Sequence, residues 1–221
     1  LRVLKKNMVF GMTWGRAMHE FVEQLAKDER LRSLSFQNVK VVPFLGTPGA
    51  IQSDSWNTTT YSNTLATKVG NLLHCASYNL SAPMYVEGTK EKELIESIDE
   101  IAKVLHMAET ADIALIGIGS MQDDSSIIKA EIRTKEEYKE LVRKGAVGEI
   151  VGRIYDKNGQ TVDEDLKRKM VGISLDKIAK IPVRVGMSYG KDKIEAIKGA
   201  IAGGLVNVLV TDVPTAELLL K

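Results

Sequence analysis

Glycine-rich segments that carry hydroxyl and cationic side chains are the features of this sequence best suited to bind a small anion. Residues 11–16 read Gly-Met-Thr-Trp-Gly-Arg, and residues 186–193 read Gly-Met-Ser-Tyr-Gly-Lys-Asp-Lys. Glycine lets backbone amides approach a ligand closely, while arginine offers a phosphate a bidentate donor fork and lysine a point charge. Two further glycine-rich segments occupy residues 43–49 and 117–120. Together the four segments predict a crevice for a small phosphorylated ligand.

The same segments permit a plainer interpretation, because a glycine-rich turn often serves only to reverse the chain. No nucleotide motif decides between the two readings. The pattern GxxxxGK[ST] of a P-loop is absent, and Gly117 with Gly119 lacks the third glycine of a dinucleotide fingerprint. A binding site requires the segments to meet, as they would if each followed a strand of one sheet.

Each glycine-rich segment follows a short apolar run typical of a buried strand, and amphipathic stretches lie between these runs. The predicted strands are residues 8–10, 39–42, 113–116, 183–185 and 206–210. Apolar residues at helical spacing predict helices over residues 18–25, 61–72, 98–105 and 194–201. Such alternation is typical of an α/β fold with a mostly parallel sheet and helices on both faces. Ligands bind such sheets beyond the carboxyl ends of the strands.

Local signals place some of the helix ends and one hairpin. Thr134 with Glu137, and Asp192 with Glu195, have the spacing of a capping box. Gly145 and the pair Gly203–Gly204 are placed to end helices. Residues 156–159, Asp-Lys-Asn-Gly, predict the turn of a small β-hairpin between residues 150–155 and 161–162.

Composition favours a binding domain without nucleic-acid affinity of its own. The 221 residues are 44% hydrophobic and carry 30 Lys and Arg against 29 Asp and Glu. A domain that grips DNA usually has a basic excess, so any DNA-binding part is expected outside this chain. Cys75 is the only cysteine, which excludes an intramolecular disulfide and favours a reducing compartment. We therefore expect one cytoplasmic domain over residues 1–221, without a membrane segment.

Many short elements in a fixed order resemble the sugar-binding (effector) domain of SorC/DeoR-type bacterial transcriptional regulators. They run from residue 4 to residue 220 and include GMTWGRAM, VVPFLGTPG, TYSNTLA, SAPMYV, ADIALIGIGSM, GAVGEIVGRIYDKNGQ, IPVRVGMSYGKDKIEAI and NVLVTDVPTAELLL. The resemblance implies a Rossmann-like fold similar to that of glucosamine-6-phosphate deaminase and ribose-5-phosphate isomerase. It also implies a phosphorylated sugar as effector and a homodimer or homotetramer. DNA would be bound only through an N-terminal helix-turn-helix domain that this chain lacks.

The glycine-rich segments and the resemblance together name the residues expected to bind ligand. These are Gly11, Thr13, Trp14, Gly15, Arg16, Gly46, Thr47, Asn63, Gly117, Gly119, Glu149, Gly190 and Lys193. The resemblance implies that Asn63 faces the pocket, that Glu149 accepts hydrogen bonds from sugar hydroxyls, and that Lys193 lies near the phosphate. No catalytic residue, metal ligand or cofactor is expected.

Two departures from the family pattern bear on the ligand. Met187 and Tyr189 stand where the family commonly has small residues, which narrows the expected pocket. Residues 43–49 lack the basic residue that some relatives sensing a bisphosphate place there, which argues against a second phosphate on the ligand.

Other functions stay open at the level of sequence. A sugar-phosphate isomerase or deaminase could use the same fold, since fold alone does not fix function. Glu149 could also be a surface carboxylate at a strand edge, and Asp123–Asp124 a solvated loop. A purely structural assembly module would need no ligand at all. The three histidines have no metal-ligand spacing among themselves or with Cys75.

Overall fold

The computed structural model describes residues 5–33, 36, 38–49 and 58–221, which form nine strands and ten α-helices. The strands are β1 Val9–Met12, β2 Lys40–Pro43, β3 Ala76–Ser77, β4 Ile113–Gly117, β5 Gly119–Ser120, β6 Ala146–Ile150, β7 Arg153–Asp156, β8 Val183–Met187 and β9 Val208–Val210. The helices are α1 Arg16–Ala26, α2 Ser62–Leu73, α3 Thr89–Glu96, α4 Asp99–Glu109, α5 Ser126–Lys129, α6 Lys135–Arg143, α7 Glu164–Lys169, α8 Leu175–Ile178, α9 Ile194–Ala202 and α10 Val213–Leu219.

Six strands form one sheet in the order β3-β2-β1-β4-β8-β9, and every pairing in it is parallel. The chain runs outward from β1 to β3, then returns to place β4 on the other side of β1. The direction of winding therefore reverses between β1 and β4. In open α/β sheets this reversal opens a crevice beyond the carboxyl ends of the two strands.

Helices cover both faces of the sheet, as the alternation of strands and helices predicted. Along β4, Ile113 and Leu115 belong to the core that contains Met18 of α1 and Leu65 of α2. Ala114 and Ile116, which alternate with them, belong to the core on the opposite face, which includes residues of α9. A parallel strand buried on both faces reads as a continuous apolar run, which is why residues 113–116 were recognisable from sequence.

The predicted β-hairpin forms around the turn at residues 156–159, and it is preceded by a longer hairpin that the sequence did not predict. Strands β5, β6 and β7 form a separate antiparallel sheet, and β6 turns into β7 at Val151 and Gly152. Both turn residues have positive φ, 54° and 68°, as a tight two-residue hairpin requires. The predicted turn at residues 156–159 also forms, but only a single bridge, between Tyr155 and Thr161, follows it.

Of the predicted helix caps, the one at α6 is confirmed and the one at α9 is wrong. The Thr134 side chain accepts from the Glu137 amide and the Glu137 side chain accepts from the Thr134 amide. Helix α9 instead begins at Ile194 after a single 3-10 turn at Lys191–Lys193, and no side chain caps it. The Asp192 carboxylate is turned toward the Ser120 hydroxyl, 3.4 Å away.

Candidate functional site

A cleft of about 320 Å³ lies beyond the carboxyl ends of β1 and β4, where the winding of the sheet reverses. The described residues that line it come from five parts of the chain: residues 14–17, 117–120, 124–126, Glu149, and residues 188–189 with 192–193. Three of the four glycine-rich segments predicted to meet therefore converge, and no residue of the described segment 43–49 lines the cleft. Seven of the expected ligand-binding residues line the cleft, namely Trp14, Gly15, Arg16, Gly117, Gly119, Glu149 and Lys193.

The first wall of the cleft is the start of α1. Gly15 precedes the helix with φ 105° and ψ 175°, and no side chain caps it. An L-residue rarely adopts this backbone conformation, so the turn requires glycine. The first N–H groups of a helix have no partner within it and carry its positive dipole end. Arg16 adds a guanidinium at the rim, where Nη2 lies 2.7 Å from Asp124 Oδ2.

Thr13 supports this wall from below. Its side chain is fully buried, and Oγ1 accepts a hydrogen bond of 2.9 Å from the Gly117 amide. A side chain at Gly117 would meet the Trp14 carbonyl oxygen at 3.4 Å. Thr13 thus joins the ends of β1 and β4 rather than facing the cleft, and a Cβ at position 117 would make only an ordinary van der Waals contact with this wall.

Glu149 lies at the base of the cleft and is only 7% exposed. It is not the surface carboxylate that the sequence left possible. Its Oε1 accepts from the Gly152 amide, and its carboxylate also accepts a hydrogen bond from the Trp14 side chain. Burial raises the pKa of Glu149 to about 6, an effect opposed by these hydrogen bonds and by the positive charges of Lys193 and Arg153. A side chain at Gly119 would come within 2.9 Å of this carboxylate.

Lys193 lines the opposite wall with a side chain that is 21% exposed. Its Nζ donates to the Ser120 hydroxyl at 2.8 Å and lies 3.8 Å from Asp192 Oδ2. Gly190, with φ 106°, does not line the cleft. It shapes the turn that presents Lys193, and its amide donates to Thr215 Oγ1 at 2.8 Å.

The remaining expected residues lie outside this cleft, so their contact with ligand stays a prediction. Gly11 is in β1, where a Cβ would lie 1.9 Å from the Phe44 ring, and a Cβ at Gly46 would lie 2.5 Å from the Ala82 carbonyl oxygen. Both glycines are thus explained by close packing. Asn63 holds the loop after β2, because its amide donates to Thr47 Oγ1 at 2.8 Å and to the Leu80 carbonyl at 3.1 Å. Residues 50–57 of that loop lie outside the described residues.

Several lining residues were not identified from sequence, among them Ser120, Asp124, Ser188 and Asp192. Asp124 was expected in a solvated loop, and no spacing signal links it to Arg16, 108 positions earlier. The cleft therefore carries two cationic side chains and three carboxylates, of which the sequence predicted Glu149 but not Asp124 or Asp192. Amides and cations can hold an anionic group, while the carboxylates can accept hydrogen bonds from hydroxyls.

In the described part of the chain, no helix has the length and apolar character needed to cross a bilayer. Within the same residues, no three or more His, Cys, Asp or Glu side chains are grouped so that they could hold a metal ion.

Comparison with known proteins places the chain in a family. The family model described as "Putative sugar-binding domain" (Sugar-bind) matches residues 1–221. The sorbitol operon regulator of Klebsiella pneumoniae is 30% identical over 222 residues, covering 100% of this chain and 67% of that protein. The transcriptional regulator LsrR of Escherichia coli O9:H4 is 35% identical over 159 residues, covering 70% of this chain and 50% of LsrR.

A solved structure agrees with these matches. The full-length sorbitol operon regulator SorC from Klebsiella pneumoniae superimposes with a TM-score of 0.87 at 29% identity, covering 100% of this chain and 68% of that one. These relatives are named as transcriptional regulators and not as enzymes, in agreement with the expectation of a binding domain. The chain belongs to the sugar-binding domain family of SorC-type transcriptional regulators.

Proposed function

We propose that this chain is the effector-binding domain of a cytoplasmic transcriptional regulator, and that its effector is a phosphorylated sugar bound in the cleft between β1 and β4. The proposal rests on one observation: amide donors at a helix start, two cationic side chains and a carboxylate all line the same cleft. The start of α1 and Arg16 lie on one wall, Lys193 lies on the other, and Glu149 lies at the base. A phosphate fits between the walls, and sugar hydroxyls fit against the base.

The two walls suit a phosphate because they combine amide donors with full charges. Charge-assisted hydrogen bonds are roughly twice as strong as neutral ones. Lys193 has the more enclosed side chain, 21% exposed against 70% for Arg16. Because solvent screens exposed charges more strongly, Lys193 is the stronger phosphate contact of the two.

Glu149 supports a ligand with hydroxyl groups. When ionised, a carboxylate only accepts hydrogen bonds, and it has more acceptor sites than the Gly152 amide and the Trp14 side chain use. A hydroxyl donor at the base of the cleft would satisfy the remaining oxygen lone pairs. This arrangement favours a sugar phosphate over inorganic phosphate or an apolar phosphate ester.

We further propose that the effector acts by changing the assembly of the regulator. The chain spans about half the length of LsrR and two thirds of the sorbitol operon regulator. The DNA-binding segment would lie in the part of the regulator that this chain does not span. Closure of the α1 and Lys193 walls on a phosphate would alter the surface between protomers of a homodimer or homotetramer, because a ligand shifts an equilibrium by its differential affinity for two states.

A thermal-shift panel tests the proposal with triose, pentose and hexose phosphates and with the matching unphosphorylated sugars. A ligand that binds only the folded state stabilises it by about 2.7 kcal/mol at a concentration of one hundred times Kd. At least one phosphorylated sugar should raise Tm while its unphosphorylated partner does not. Stabilisation by none of them, or sustained turnover of any, would contradict the proposal.

Substitutions locate the ligand once the panel has found it. Loss of a hydrogen bond to a charged group removes about 1.5–3 kcal/mol, so Lys193→Ala should weaken binding by roughly 10- to 100-fold. Arg16→Ala should weaken it less. Lys198→Ala is the matched control, because Lys198 lies on α9 with a half-exposed side chain and does not line the cleft. Calorimetric titration of the three variants gives the comparison, and wild-type affinity in both cleft variants would place the ligand elsewhere.

A further inference from the structure

We propose that Asp124 is an internal competitor for the ligand's anionic group: its carboxylate occupies Arg16 in the free domain, and the ligand's phosphate replaces it. The inference rests on the proposed function, that the cleft binds a phosphorylated sugar, and adds how the site regulates access to one of its cations.

Arg16 and Asp124 contact each other across the rim of the cleft. Arg16 Nη2 donates to Asp124 Oδ2 at 2.7 Å, and both side chains line the cleft. Arg16 is the first residue of α1, whereas Asp124 stands just before the capping residue Ser125 of α5. The guanidinium that a phosphate would use is therefore already held by a carboxylate from a different part of the chain.

Asp124 is ionised in this contact. The hydrogen bond from Arg16 holds the pKa of Asp124 below its usual range, and the charges of Lys129 and Lys193 act in the same direction. Across the cleft, Lys193 is likewise paired within the chain, to Ser120 at 2.8 Å and to Asp192 at 3.8 Å. Both cations of the described cleft thus have an internal partner before any ligand arrives.

The exchange is feasible because the Arg16–Asp124 pair is exposed. The two side chains are 70% and 55% exposed, so Asp124 can return to water when it leaves Arg16. Exposed pairs are weak, and breaking one lowers the affinity of a competing ligand by roughly two- to fivefold. A phosphate monoester carries a charge of about −1.5 to −2 and three acceptor oxygens, so it binds Arg16 more strongly than a single carboxylate does.

Replacement of Asp124 would also signal ligand binding. Asp124 precedes α5, whose Ile127 is fully buried in the core that also contains Tyr138 of α6. Release of the carboxylate removes an ion pair that joins the start of α1 to the loop before α5. Ligand binding would in this way loosen one edge of the cleft while the phosphate draws α1 and Lys193 together.

Inorganic phosphate is the probe that tests this exchange, because it has no sugar hydroxyl that Asp124 could bind. Phosphate is titrated into the 15N-labelled domain at pH 7.5 and constant ionic strength, and the amide shifts of residues 15–17 give Kd. Asp124→Asn should bind phosphate roughly two- to fivefold more tightly than wild type. Asp123→Asn removes the same charge one position earlier from an exposed residue that does not line the cleft, and should bind as wild type does.

A double-mutant cycle separates competition from simple charge repulsion. In an Arg16→Gln variant there is no guanidinium for Asp124 to occupy. Adding Asp124→Asn to that variant should therefore increase phosphate affinity no more than adding Asp123→Asn does. Equal gains from the two aspartate variants, or a gain from Asp124→Asn that persists without Arg16, would overturn the inference while leaving the phosphate site intact. A wild-type cleft that shows no phosphate shifts would overturn this inference, whereas the proposed function fails only if the panel of phosphorylated sugars also gives no stabilisation.

Discussion

The Thr13 hydroxyl accepts a hydrogen bond of 2.9 Å from the Gly117 amide, and so joins the carboxyl ends of β1 and β4 directly beneath the cleft. These two strands are neighbours in the sheet, although 100 residues of chain separate Thr13 from residue 113 at the start of β4. The position of the ligand site therefore depends on one buried side chain as well as on the strand order.

Replacing Thr13 by Val should destabilise the domain by about 0.5–1.5 kcal/mol, because the shape is kept while the half-buried Gly117 amide loses its hydrogen bond to the buried hydroxyl. Urea denaturation measures the change. Thr13→Ser retains the hydroxyl and should recover most of the lost hydrogen-bond energy. Equal stability of Thr13→Val and wild type would show that the Gly117 amide finds another acceptor.

Gly15→Ala should destabilise the domain by about 1–2 kcal/mol through its backbone alone. A Cβ at Gly15 would meet nothing within 4 Å, but φ is 105° there, which an L-residue adopts only under strain. Gly49→Ala is the matched control, since a Cβ there also meets no described residue within 4 Å and no positive φ is involved. Thermal denaturation of both variants should show a loss for Gly15→Ala only, together with weaker phosphate binding at the displaced start of α1.

Glu149 should make the stability of the ligand-free domain fall as pH rises from about 4.5 to above 6. Burial raises the pKa of Glu149 to about 6 from 4.5, so folding favours the protonated carboxyl. The associated stabilisation is fully present below pH 4.5 and is lost as pH passes 6. A shift of this size corresponds to about 2 kcal/mol.

Glu149→Gln should remove that pH dependence, because its amide does not titrate. The free energy of unfolding of the variant relative to wild type should therefore rise by about 2 kcal/mol between pH 4.5 and pH 7. Glu136→Gln on the exposed surface of α6 serves as the control. Parallel pH profiles for Glu149→Gln and wild type would show that Glu149 titrates alike in the folded and unfolded chain.

Asp163→Asn should cost about 1.5–3 kcal/mol of stability, because Arg133 loses its bidentate, buried partner and keeps only the more exposed Asp165. Arg133 donates to both carboxylate oxygens of Asp163, at 2.8 and 3.1 Å, and the two side chains are 10% and 7% exposed. Asp165→Asn breaks the more exposed contact of the same arginine and should cost less. Urea denaturation compares them, and phosphate affinity should be unchanged in whatever fraction remains folded, since neither aspartate lines the cleft.

The sequence alone determined the fold class and much of the ligand edge of the sheet. Strands β1, β2 and β4 were recognisable because a largely buried parallel strand is apolar along most of its length. Strands β8 and β9 are less buried, with Val208 and Val210 exposed, and were recognisable from their β-branched valines. The glycine-rich segments were recognisable because left-handed or closely packed backbone excludes other residues, as at Gly15 and Gly190. Both signals depend only on neighbouring residues in the sequence, so they can be recognised without knowing which segments lie close together in space.

Only the tertiary structure decided which of those segments meet. Placing β4 beside β1 and β8 beyond it brings three of them to one cleft, while the described part of the segment after β2 packs against residues 82–84 instead. The same packing buries Glu149 and places Asp124 on Arg16. Contacts between residues about a hundred positions apart depend on strand order and on the path of the loops. Neither leaves a periodic or compositional trace in a single sequence, because many chain paths satisfy the same local pattern.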